Sequence, residues 1–341
     1  MIELRHDRLV FRFPEVHEDA TLSIDFQRTL RIPDDDRTYP LPPGLGRFPL
    51  RHVDDFAGTV PGQWIEHGGV MLPMYQSEAL WLLFSGSGYP FAVRVATGKI
   101  DAVTGKELKP GLATKPQNYL VIPEQPWLDG YCVKQGVIRQ FVAMPLGAGY
   151  TAEEQITGEA EHGGIQLILH PMKAEKYQAM RSRWDREGLF LGMPALLSMP
   201  LASMSTTGAT AAMGLAPGGR MRQQIFDDPH PFDVWDLKTS ARCFVHLANS
   251  MVWRHITGHQ PPTVPPTAKE YSEAGLPWFE YYAEGSTAVE GSKVLEKLKS
   301  VVQMGKKKGD VPLPENEPVE KPQIVELRKG LGKDEVRVGR F

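Results

Sequence analysis

The sequence predicts an α+β protein: a β-rich N-terminal half, helices from the C-terminal half packed against it, and an extended C-terminal tail. Three observations predict it. Apolar residues alternate or cluster in short runs through residues 1–171. Spacings of three and four take over in residues 172–305. Gly and Pro, 33 and 29 residues, recur too often for long helices and imply many turns. The predicted organisation is one large domain over 1–305, a Lys/Pro-rich linker over 306–322 and a strand-like tail over 323–341.

The strands come first. Leu9, Phe11 and Phe13 share one face, with Val10 and Arg12 on the other. Leu22, Ile24 and Phe26 repeat the pattern, as do Leu30 and Ile32. A turn-rich loop runs from Pro33 to Pro49, and Asp34-Asp35-Asp36 within it is expected to be a solvated tip. The compact runs Val70–Leu72, Leu80–Phe84, Phe91–Val95 and Asn118–Ile122 are separated by Gly-rich or Pro-rich segments and predict further strands. Val137–Met144 and Ile165–Leu169 continue the series.

Helical spacing follows. Tyr177, Met180 and Trp184 stripe a charged segment from Ala174 to Asp185. Phe244, Leu247, Ala248, Met251, Val252 and His255 predict a helix over Ala241 to His255, although its first part fits a strand equally well. Thr267-Ala268-Lys269-Glu270 has capping-box form, and Gly275 is a natural stop. Thr287-Ala288-Val289-Glu290 repeats that form before a stripe of Val294, Leu295, Leu298, Val301 and Val302, which Gly305 is expected to end. Beyond it, Lys306-Lys307-Lys308-Gly309 leads into Pro312, Pro314, Pro318 and Pro322 among acids, which is linker chemistry. Gln323–Leu327 and Val336–Val338 then give the tail apolar teeth, suited to folding back on its own domain or docking on another subunit, with a mobile tail as the alternative.

One interval bears on membranes. Gly188 to Gly219 carries no charged residue. Pro194 and Pro200 interrupt it, and Ser203, Ser205, Thr206, Thr207 and Thr210 dilute its second half. It predicts a buried or pocket-lining Met-rich segment (Met193, Met199, Met204, Met213) and no membrane span. A net charge of −3 supplies no field toward nucleic acid, and Lys306–Lys308 is too short a basic run to supply one. Cys132 and Cys243 each sit in an apolar run and are expected to be buried free thiols. With no apolar signal core in Met1–Asp7, the expected compartment is the cytoplasm.

The candidate chemistry is sparse. Asp227-Asp228-Pro229-His230-Pro231-Phe232-Asp233-Val234-Trp235-Asp236 gathers four carboxylates and an imidazole in ten residues. Asp228, His230 and Asp233 are its candidate ligands for a divalent cation, set against the plainer reading of a structural loop. Upstream, Gly218 and Gly219 suggest a tight turn whose amides face an anion, with Arg220 or Arg222 as clamp. The order of residues fits no phosphate loop. His255 and His259 have the spacing of paired zinc ligands, but Gly258 and Pro261-Pro262 predict that the helix ends between them. Glu159–Gly164 is expected to be a solvated turn. Trp278-Phe279-Glu280-Tyr281-Tyr282 suits either a ring-binding surface or a chain crossing packed on the core. No resident cofactor is predicted, beyond the divalent cation that the Asp/His loop admits.

Two stretches carry a resemblance: Gly69-Val70-Met71-Leu72-Pro73-Met74-Tyr75-Gln76-Ser77-Glu78-Ala79-Leu80-Trp81, and Gln140–Tyr150 continuing to Glu153-Glu154-Gln155. They resemble an uncharacterised family of soil-bacterial and fungal proteins, some of them labelled membrane proteins. Gly214–Arg222 and Asn249–Gly258 look similar to it too, so the likeness spans roughly residues 40–285 and leaves the tail outside. It implies no activity, cofactor or catalytic residue. Two functional expectations follow. The first is a non-enzymatic assembly or binding protein, self-associating through its tail. The second is a hydrolase with a pocket around residues 214–236, cation-dependent in one version.

Overall fold

The computed structural model describes residues 1–187, 211–281, 287–319 and 323–327. Its architecture corrects the α+β expectation. Among the described residues, seventeen strands join in one branched, mainly antiparallel sheet, and apart from the 14-residue Ala174–Glu187 the helices are short. A continuous antiparallel path runs through Ile2–Leu4, Leu9–Arg12, Thr21–Thr29, Ala79–Gly86 and Val137–Pro145. It continues through Ala212–Arg222, Ala241–Asn249, Ile165–Pro171, Phe91–Thr97 and Leu120–Ile122. The two halves of the chain therefore interleave in one sheet.

The physical reason for the correction is burial on both faces. Val70–Met74 and Phe91–Thr97 are buried along their whole length. Such strands lose the two-residue alternation, and helical spacings then arise in them by chance. Ala241 to His255 illustrates this. It is a strand over Ala241–Asn249 and a helix over Ser250–Thr257, joined where the Asn249 side chain accepts from the Met251 amide. The apparent stripe from Phe244 to His255 crosses that junction.

The last helical expectation also changes. Residues 287–305 do not form one helix. Two short ones, Lys293–Glu296 and Val301–Lys308, are each capped by a serine, Ser292 and Ser300. Gly305 lies inside the second, which Gly309 ends in the left-handed conformation. Gly291 has φ +87°, and a β-carbon there would lie 2.6 Å from the Lys134 backbone, so no helix runs through it. The Ala268–Glu273 helix does carry its capping box.

Charge inside the sheet is paired. Asp25 meets Arg8 at 3.1 Å and Arg47 at 2.8 Å, Glu78 meets Arg28 at 2.6 Å, and Asp101 meets Arg94 at 3.1 Å. Pairing is what makes buried charge tolerable. It also corrects the solvated-tip expectation: the Asp34 carboxylate is buried 3.5 Å from Arg139, and Asp35 is tied to Arg37 and Tyr39. Cys132 and Cys243 are free and buried, and burial pushes both thiols up to about 12.

Part of the tail docks on its own chain. Ile324–Leu327 pairs in parallel with Trp278–Tyr281, whose Phe279 is bridged on its other side to Leu41. The Met-rich interval falls mostly on 188–210, outside the described residues. Its remainder, from 212 onward, opens the Ala212–Arg222 strand. Among the described residues, no helix is long and apolar enough to cross a membrane.

Close backbone approach gives a stability prediction. A β-carbon on Gly130 would lie 2.0 Å from the Arg139 carbonyl oxygen, whereas one on Gly58 meets nothing within 4 Å. Gly130→Ala is expected to lower the unfolding free energy by about 3 kcal/mol in urea denaturation. Gly58→Ala is expected to change it by less than about 0.5 kcal/mol. Equal effects at the two sites would contradict the packing described.

Candidate functional site

Where the Ala212–Arg222 strand leaves the sheet, the chain crosses a second loop and a cleft of about 200 Å³ opens between them. Trp127, Phe226 and Phe279 line it with aromatic surface, and Pro40, Leu41 and Pro126 add aliphatic surface. Arg222 and Glu280 form an ion pair at the rim, with Glu280 the more buried partner (17% exposed, against 59% for Arg222).

Two buried glutamines hold the walls together. Gln125 donates from Nε2 to the Trp127 carbonyl at 2.9 Å and the Gln224 carbonyl at 3.2 Å, and its Oε1 accepts from the Phe226 amide at 3.1 Å. Gln223 accepts from the Asp129 amide at 3.0 Å and donates to Asp129 Oδ2 at 2.8 Å. Each side chain thus satisfies backbone groups that no strand pairs, and each cross-links residues 125–129 to 223–226.

Asp129 lies directly behind the cleft. It is buried, and its side-chain partners are Gln223 and Trp127, both lining residues. Burial pushes its carboxyl up to about 7, against the pull of the hydrogen bonds from Trp127 and Gln223.

The Asp/His loop packs beside this arrangement. Asp228 accepts from the Tyr119 hydroxyl at 2.5 Å, the Trp235 indole at 2.8 Å and the His230 amide at 2.8 Å. His230 Nε2 stands 3.4 Å from Glu124. Burial opposes its charged form, but Glu124 and Asp228 outweigh this and raise its pKa above the ordinary value. Asp228 and His230 are therefore together, next to the cleft wall at Gln125. Asp233 is apart, exposed and paired with Lys176 at 2.7 Å. Among the described residues, no three His, Cys, Asp or Glu side chains are placed to share a cation.

The predicted anion residues also separate. Gly218 and Gly219 do not form a tight turn. They lie inside the Ala212–Arg222 strand, as two residues opposite the single Gln140 between the Arg139–Arg220 and Phe141–Pro217 pairs. A β-carbon on Gly218 would lie 2.5 Å from Val142 Cγ2, and one on Gly219 2.5 Å from the Pro33 carbonyl oxygen. Arg220 points to Asp36, at 3.8 Å. Only Arg222 of the four reaches the cleft. Trp127, Gln125, Gln223, Phe226 and Asp129 carried no periodic signal, because five separate chain segments contribute the walls. Phe279 was visible only as one of an aromatic run.

A second cluster lies over the Ala241–Asn249 strand, which Ile165–Pro171 and Val70–Met74 flank. His162 was assigned to a solvated turn, yet its Nδ1 lies 3.2 Å from the buried Glu153, and its ring stacks on His67 at 5.3 Å. His67 stacks in turn on Phe244 at 4.5 Å, and His246 on Trp64 at 4.8 Å. Burial pushes His246 down to about 4. These contacts fasten the Gly62–His67 helix to the sheet. His255 lies in the Ser250–Thr257 helix, which Gly258 ends before His259.

Compared with family models, with curated proteins and with solved structures, the chain matches none. The functional reading therefore rests on these residues alone.

Asp129 gives the site a pH signature. Its folded pKa near 7 exceeds the unfolded value of about 3.9. Between those values the folded chain keeps a proton that the unfolded chain has released, so stability falls as pH rises through the window and levels off above 7. Urea denaturation at pH 5 and pH 8 is expected to show a loss from this group of about 3 kcal/mol. Asp129→Asn should shrink that difference, and an unchanged one would assign it to other groups.

Proposed function

We propose that this chain is a non-enzymatic small-molecule-binding protein of the cytoplasm, and that its ligand occupies the cleft beside Gln125 and Gln223. The observation that carries the reading is the lining: three aromatic side chains on walls clamped by two fully engaged amides. Such walls do not need to reorganise when a ligand enters, which lowers the cost of binding. A volume near 200 Å³ holds about six or seven waters at liquid density, so it suits a compact molecule or a single ring. The free, buried thiols support a reducing compartment.

The hydrolase alternative has less support. Asp228 is saturated by Tyr119, Trp235 and its own loop, and Asp233 faces away toward Lys176. Self-association through the tail has a specific observation in its favour: Ile324 and Val325 stay 46% and 39% exposed even in the paired strand. The same four-residue pairing can be made by a neighbouring copy.

Two measurements test these readings. Isothermal titration calorimetry of the full chain with choline, 3,3-dimethylbutan-1-ol, indole and benzoate should detect at least one compound at sub-millimolar affinity. Phe226→Ala and Phe279→Ala should each weaken it about tenfold, the loss of one well-packed aromatic contact. No binding of any of the four would remove the cleft reading. For the tail, light scattering of the full chain against a chain ending at Val319 should show a drop in mass. Identical masses would remove tail-mediated assembly.

A further inference from the structure

We propose that the cleft selects a compact organic cation, an alkylated ammonium, and that Asp129 is the counter-charge that gives this preference. The inference rests on the cleft being a ligand site, and it adds the ligand's chemical class.

Three features point to a cation. The first is the lining by Trp127, Phe226 and Phe279. Aromatic faces carry negative potential and attract ammonium groups that have lost part of their water, and alkylated ammonium ions lose it most easily. The second is the order of charge at the rim. Arg222 and Glu280 offset each other, but the acid is the deeper of the two and the base the more exposed. The carboxylate is thus the less solvent-screened of the two charges.

The third is Asp129. It is buried behind the floor, and its two side-chain contacts, Trp127 and Gln223, are both lining residues and both neutral. An acid held this way costs stability whenever it ionises. A cation in the cleft would supply the missing counter-charge through two polarised hydrogen bonds. A neutral or anionic ligand would leave that cost in place. Burial has already moved the carboxyl close to neutrality, so a ligand's charge can decide its ionisation.

The test compares choline with 3,3-dimethylbutan-1-ol, its neutral isostere, and with benzoate, by calorimetry on the full chain at pH 8. Choline is expected to bind at least about tenfold more tightly than either. Asp129→Asn should erase most of that preference. Glu280→Gln, at the rim, keeps the test usable if the buried variant fails to fold, and it should reduce the preference about threefold. Equal or tighter binding of the alcohol or of benzoate would overturn the cation preference and leave the cleft as a ligand site. Absence of binding by every compound would remove both. Selectivity for choline unaltered in both variants would overturn the role given to the acids.

Discussion

The rest of the structure depends on the bulged ladder between Val137–Pro145 and Ala212–Arg222. It is one of the seams that join the early strands to the late ones, and its register shifts at one place, where Gly218 and Gly219 face Gln140. Two consequences follow from that shift. Gly219 lets the Ile32–Pro33 backbone pass within a distance no side chain permits. Gln140, freed from regular pairing geometry, uses its amide to fix Ile32 and Leu30, at 2.8 and 2.9 Å. Past the bulge the strand runs out at Arg222, and the chain that follows builds the cleft. Sheet closure and site placement thus come from one local feature of the backbone.

A sheet buried on both faces imposes a second constraint. Every polar group carried inside must find an internal partner, because water is excluded. The chain answers this with ion pairs on the strands and with glutamine amides at the loops. A glutamine serves better than an acid where a donor and an acceptor are both needed, as between residues 125–129 and 223–226. The amides bring no charge and so no desolvation debt of that kind. Rigid walls around the cleft are a by-product of satisfying the backbone.

What was legible in the sequence follows the same physics. Leu22, Ile24 and Phe26 declared their strand, and Thr267 with Glu270 declared a helix start, because each signal is local. Phe244 to His255 misled, because burial on both faces removed the alternation that marks a strand. Gly218-Gly219 looked like a turn because a bulge and a turn draw on the same residue. The site was legible only at its edge, through Arg222 and Phe279. Its other walls come from Pro40–Leu41, Gln125–Trp127, Gly136 and Gln223–Phe226, and no spacing rule connects segments whose proximity is created by the fold.

Asp129 is buried with no ion pair among the described residues. Arg94, Arg28, Asp25 and Glu78 all have opposite charges to meet, and the sheet tolerates them on those terms. Asp129 has two neutral donors and a carboxyl raised by burial. An asparagine would carry no ionisation cost, but it offers one acceptor oxygen where the carboxylate offers two to Trp127 and Gln223. A costly group placed against an aromatic-lined cleft is the pattern expected where binding and stability compete. The same rigidity that makes the cleft a ready receptor keeps the acid from turning outward to water. Its cost can then be relieved only by a proton or by a cation arriving from the cleft side.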